Sequence, residues 1–113
     1  MLDLSKIKNN SSQKKRRVHP GEYTLEVLDV NWAEGFVPNT AIDYSYKLTN
    51  ADGEAFNFSE RFFIRGHFER TEIFKQYLEN NGLDYNSFVG CKEHVKIANN
   101  EKKFPEIYER KII

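Results

Sequence analysis

Pro20-Gly21-Glu22-Tyr23-Thr24-Leu25-Glu26-Val27-Leu28-Asp29-Val30-Asn31-Trp32 decides how the rest of the chain is read. Its apolar residues occupy odd positions first (Tyr23, Leu25, Val27) and even positions afterwards (Leu28, Val30, Trp32). Side chains of a strand alternate between two faces, so the buried face changes only where an extra residue is inserted. The stretch therefore predicts one long strand with a bulge near Val27 and Leu28, bent enough to serve both halves of a curled sheet. A small closed barrel needs such a first strand.

Downstream, Ala33 to Asn39 reads as a loop that carries an aromatic, Phe36. Thr40 to Thr49 alternates Ile42, Tyr44, Tyr46 and Leu48 with polar residues, the pattern of a half-buried strand. Asn50-Ala51-Asp52-Gly53 closes a hairpin, because its Asp-Gly pair readily takes positive φ. The next strand runs from about Glu54 to Arg65; Phe56, Phe58, Phe62 and Ile64 continue the apolar face, and Glu60 interrupts it. Between Glu69 and Asn81 the period lengthens, and Ile73, Phe74, Tyr77 and Leu78 make one stripe of a helix of about three turns. Gly82 suits the left-handed position after its end. Leu83 to Gly90 reads as a connection packed through Leu83, Phe88 and Tyr85. A short strand follows, with Val95 and Ile97 inward and His94 and Lys96 outward. Asn99 to Lys102 forms a second hairpin loop, and Phe104 to Lys111 the last strand, where Pro105 marks an edge or a strand start.

The order predicts a mainly β domain with one helix, a five-stranded OB-like barrel (β-β-β-α-β-β) over residues 20–113. A mixed sheet packed on one helix is the alternative. Residues 1–19 have little periodicity and read as a flexible, disordered basic arm. Net charge is zero over the 113 residues, but it is unevenly placed: the arm has six Lys or Arg against Asp3, and the remainder has 11 basic and 16 acidic residues. An acidic body argues against a strong general affinity for nucleic acid. The run Lys14-Lys15-Arg16-Arg17 reads either as a solubilising tail or as an electrostatic tether to phosphates or an acidic protein. A single cysteine, Cys91, and no apolar leader predict a reducing, cytoplasmic setting; no apolar run reaches the length of a membrane span.

Catalytic constellations are absent from the sequence. His19, His67 and His94 are far apart, and none has a Cys or acid at metal-ligand spacing. There is no Gly-rich phosphate loop, no Gly-x-Ser-x-Gly elbow and no paired-carboxylate motif. Cys91, beside Gly90, reads as a small, partly buried filler. Neither catalysis nor a metal or cofactor is expected.

A binding surface is easier to locate. If the even positions of the second and third strands face the core, the other face shows Ser45, Lys47, Asn57, Ser59, Arg61, Phe63 and Arg65. Phe63 then lies exposed between Arg61 and Arg65, an arrangement that stacks a single-stranded base, with Lys47, Arg61 and Arg65 on phosphates. The plainer reading covers Phe63 with the helix or the arm and pairs the arginines with surface acids such as Glu60 or Glu69. Trp32 and Phe36 would flank the face as loop stacking residues; core or anchor roles suit them equally.

Across most of residues 20–111 the chain resembles small phage and prophage proteins related to single-stranded DNA-binding proteins. The resemblance lies in Pro20-Gly-Glu-Tyr-x-x-x-Val-x-x-Val, the aromatic and Leu alternation of the second strand, Arg61-Phe-Phe-Ile, the helix ending in Asn-Gly-Leu, and Val89-Gly90 before a Val-x-Ile strand. It implies an OB-like fold and single-stranded DNA binding without catalysis, near phage replication or recombination in a bacterial host. The acidic body leaves a second function open, a protein-interaction module or an inhibitor of a host nuclease or defence complex. Edge-strand pairing or a homodimer through exposed aromatics would also suit the chain.

Overall fold

A computed structural model describes residues 17–35 and 37–113. They form β1 (Gly21–Trp32), β2 (Ala41–Thr49), β3 (Ala55–Phe63), α1 (Glu69–Asn80), β4 (Lys92–Asn99) and β5 (Pro105–Ile112). The five strands make one antiparallel sheet in the order β3-β2-β1-β4-β5. β1 is the shared strand, pairing with β2 from Thr24 to Trp32 and with β4 from Gly21 to Glu26.

The predicted bulge is present. Pairing passes from Val27 opposite Tyr46 to Asp29 opposite Ser45, which leaves Leu28 as the extra residue. Val27 turns to the other neighbour: its N–H donates to Cys91 O at 3.0 Å and its carbonyl accepts from Gly90 N–H at 2.8 Å. Beyond the bulge Val30 lies opposite Tyr44 and Trp32 opposite Ile42, so the core-facing side changes as the sequence indicated. Leu28 and Trp32 nevertheless stay exposed, the first expelled by the bulge and the second overhanging the end of the strand. A second bulge in β5 makes Tyr108 the unpaired residue between Ile107 and Glu109.

The core is aromatic. Phe62 and Phe74 stack at 4.1 Å, and the rings of Tyr44, Phe74 and Phe88 meet edge to face. α1 buries Phe74 and Leu78, half-buries Tyr77, and leaves Ile73 outside. It ends at Gly82 (φ 70°), where Gly82 N–H donates to Glu79 O and Leu83 N–H to Leu78 O. This is the Schellman pattern that an αL glycine permits.

The expected closure of the sheet is not observed, because backbone pairing stops at β3 on one side and β5 on the other. Two features account for it. The Ile64 N–H bonds to Thr40 O, so Arg61 and Phe63 turn their backbone groups away from β2, and α1 takes both carbonyls: Arg70 Nη1 donates to Arg61 O (2.8 Å) and Thr71 Oγ1 to Phe63 O (2.9 Å). β5 opens with Pro105, which has no N–H to give.

Side chains bridge the seam instead. Arg110 of β5 donates through Nη2 to Glu60 Oε1 of β3 at 2.6 Å, and its Nε lies 3.4 Å from Glu93 Oε2 of β4. Tyr46 OH donates to Glu60 (2.7 Å), Tyr77 OH to Glu93 (2.6 Å) and Arg70 Nη2 to Glu60 (2.9 Å). Glu60, the apparent exception on an apolar face, is therefore a deliberate interior acid, 8% exposed. Burial works against the Arg110 charge, but the two carboxylates outweigh it and hold its pKa above the usual value. Burial, reinforced by the neighbouring carboxylates, keeps the Tyr46 and Tyr77 hydroxyls protonated far above the ordinary phenol range.

Removing Arg110 would leave buried Glu93 without a cation and Glu60 with Arg70 alone. Arg110→Ala is expected to cost about 3–5 kcal/mol in urea unfolding; a loss below about 1 kcal/mol would show that the seam does not depend on it. The pH dependence of Glu93 gives a second check. Burial raises its pKa above that of the unfolded chain, against the lowering influence of Arg110 and Tyr77. The folded protein therefore takes up this proton first, and the associated stability is full below the unfolded value and lost as pH rises through the folded one. Measured against Glu93→Gln, the wild-type chain should gain stability between about pH 7 and pH 4.5. A relative loss on acidification would contradict that assignment.

Candidate nucleic-acid interface

The register of β2 and β3 fixes their outer face. Asp43 stands opposite Arg61, Ser45 opposite Ser59 and Lys47 opposite Asn57, all solvent-facing to some degree. Lys47 and Arg61 thus occupy the face assigned to them by the alternation. Arg65 does not: β3 ends at Phe63, and Arg65 sits exposed in the turn that follows. That turn needs glycine at 66, since φ is 94° and a Cβ would meet the Phe68 ring at 3.2 Å.

Phe63 is half-buried rather than fully exposed between two arginines. Its ring lies 5.7 Å from Phe68, tilted by 42°. Arg61 is paired with an acid, but with Asp43 across the strand pair, not Glu60 or Glu69. Trp32 is 53% exposed at the end of β1. Arg17 is exposed where the described chain begins, whereas Lys14, Lys15, Arg16 and Phe36 lie outside the described residues. The outer face of β1 to β3 mixes Glu26, Asp29 and Asp43 with Lys47 and Arg61, so charge alone does not define it as a phosphate track.

Reading by strand alternation missed the loop between β4 and β5. A hollow of about 430 Å³ lies there, lined by Arg17, His19, Asn57, Lys103 and Phe104 among others. Phe104 is 64% exposed. The loop is held by Asn100, whose Oδ1 accepts from Lys102 N–H (2.9 Å) and Phe104 N–H (3.1 Å). Asn50 does the same in the first hairpin with Asp52 and Glu54. The two turns share a left-handed fourth residue, Gly53 at φ 82° and Lys103 at φ 65°. A recognisable signal existed in the sequence: an Asn at the same place in both turns, with Gly in one and Lys in the other. A non-glycine residue held at positive φ is strained, and such strain gathers at functional loops.

Among the described residues no group of three or more His, Cys, Asp and Glu is placed to hold a metal, and no helix is long and apolar enough to cross a membrane. No protein family matches the chain, and neither a curated protein nor a solved structure gives a significant match.

The strain at Lys103 is measurable. Lys103→Gly should stabilise the fold by up to about 1 kcal/mol, the left-handed penalty less the added freedom of the unfolded chain. A lower melting temperature would show that the lysine conformation carries no penalty.

Proposed function

We propose that this chain is a non-catalytic single-stranded DNA-binding protein on an OB-like barrel, of the phage type its sequence resembles. A central first strand shared by two halves, a helix between the third and fourth strands and a partly open five-stranded arrangement support the barrel reading. The ligand reading is carried by one observation. β3 runs along a single solvent-facing side from Asn57, which lines the hollow with Arg17, Lys103 and Phe104, to Phe63, at the end of the sheet where Trp32 is exposed. That path is about 20 Å long.

In this reading an extended strand lies along β3. Bases stack on Phe104 and Phe63, while Arg17, Lys47, Lys103 and Arg65 meet phosphates. The basic residues Lys14, Lys15 and Arg16 add attraction that is screened by salt. Stacking has to supply much of the affinity, because the acidic residues of the body oppose a polyanion.

A second reading is a module that binds a protein partner, such as a host nuclease or defence complex. Ile73 and Tyr108, 63% and 65% exposed, rim a groove between α1 and β5 whose lining includes Phe62, Phe74, Tyr77 and Ile107. Exposed apolar residues gathered at one groove are a feature of interaction surfaces.

Titration of a labelled oligothymidine with the chain at low salt should show saturable binding that weakens steeply as salt is added. Phe63→Ala and Phe104→Ala should each weaken binding by about 1–3 kcal/mol, the usual worth of a stacked base. No binding at low salt would overturn the proposal. A stoichiometric protein captured from a bacterial lysate after nuclease treatment, and lost with Tyr108→Ala, would favour the second reading.

A further inference from the structure

The hollow beside the β4–β5 loop differs in charge from its surroundings. Arg17, His19 and Lys103 line it with Asn57, Asn99 and Phe104, and no Asp or Glu is among its described lining residues. Two hollows adjoin it, and both are lined by acids. One shares Arg17, His19 and Pro20 and contains Glu22, Asp52 and Glu54; the other shares Phe58 and Pro105 and contains Glu60 and Glu106. Among the described residues neither the Arg17 guanidinium nor the Lys103 ammonium belongs to an ion pair. The backbone on both sides is fixed: Tyr23 OH donates to His19 O at 2.7 Å, and Lys103 N–H donates to Asn100 O at 2.8 Å. At about 430 Å³ the hollow is within the range of small-ligand pockets, about 300–1,000 Å³.

We propose that this hollow holds the end of a DNA single strand: its terminal phosphate meets Arg17 and Lys103, and its last base lies on Phe104. The proposal rests on the single-stranded DNA reading above and adds that the strand stops here. From the hollow a strand can leave past Lys47, which is exposed and stands opposite Asn57. Continuing the other way would carry a polyanion to Glu22, Asp52 and Glu54, and turning into the seam would carry it to Glu60 and Glu106. A strand that ends in the hollow avoids both sets of acids. At pH 7 a phosphate monoester carries about −1.5 to −2 charge, more than the single charge of an internal phosphodiester. Two cations without acid partners suit the monoester better, and the exposed ring of Phe104 supplies a flat contact for the base attached to it.

The test compares three oligothymidines of one length, with no terminal phosphate, a 5′ phosphate or a 3′ phosphate, binding to the full chain at several salt concentrations. One phosphorylated form should bind about tenfold more tightly than the unphosphorylated strand, the worth of a charge-assisted contact. Its slope of log affinity against log salt should be steeper by about 0.7. Which end is preferred gives the direction of the strand along β3. The double variant Arg17→Gln with Lys103→Gly keeps the left-handed turn and changes an exposed residue at the margin of the fold, so it tests the site in a folded chain. It should bind all three strands within about twofold of one another. Equal wild-type affinities for the three, an equal gain from phosphate at either end, or a gain that survives in the double variant would overturn the proposal and leave the parent reading intact. Failure of the wild-type chain to bind any of them at low salt would remove both.

Discussion

Arg110, held between Glu60 and Glu93, is the interaction on which the rest of this structure depends. The hydrogen-bonded sheet ends at β3 and β5, yet the core behind them has to be sealed. One guanidinium draws an edge strand toward β3 while a neighbouring strand supplies the second acid. Tyr46 and Tyr77 complete the arrangement from β2 and α1, so five elements converge on a few polar atoms. Buried ion pairs are seldom a cheap source of stability, but they are demanding about geometry. The cluster thereby specifies which strands may approach one another, a task that a greasy seam would perform with less selectivity. One Glu93 oxygen has no hydrogen-bond partner among the described residues, which is consistent with an acid that holds its proton more firmly than usual.

Much of this fold was legible because its strands obey alternation. The change of phase between Val27 and Leu28 could come only from a bulge, and the ladder shows one there. Gly82 announced the helix end, and Pro105 the start of an edge strand. The seam was less legible. Glu60 stood out as a break in an apolar face, but nothing in the spacing says that its counter-ion lies 50 residues away on the last strand. Glu93 shares the inward parity of Val95 and Ile97, whereas Arg110 looks like an ordinary surface residue in sequence. Which residues meet at the seam is set by the approach of distant strands, which local patterns do not encode. Similarly, Arg65 falls off the binding face because β3 stops two residues short of where apolar alternation suggested, at a turn that requires Gly66.

The candidate interface has the opposite character to the seam. Its charges are partly solvated, mixed in sign and paired across strands, and its larger contacts are aromatic rings at two ends of β3. Such a surface is poorly suited to gripping a rigid polyanion by charge alone. Under the proposed function, a flexible single strand would turn its bases toward protein and its phosphates toward water.

The capping of β3 by the first turn of α1 has a consequence for how the molecule behaves in a crowd. An open sheet normally carries the risk that neighbouring chains add to its edges and grow into aggregates. Here the carbonyls of Arg61 and Phe63 are already satisfied from within, and β5 is disrupted by Pro105 at its start and by the Tyr108 bulge near its middle. A newcomer at that end of β3 would have to displace native partners first. The same features that prevent ring closure therefore also make that part of the open edge a poorer template.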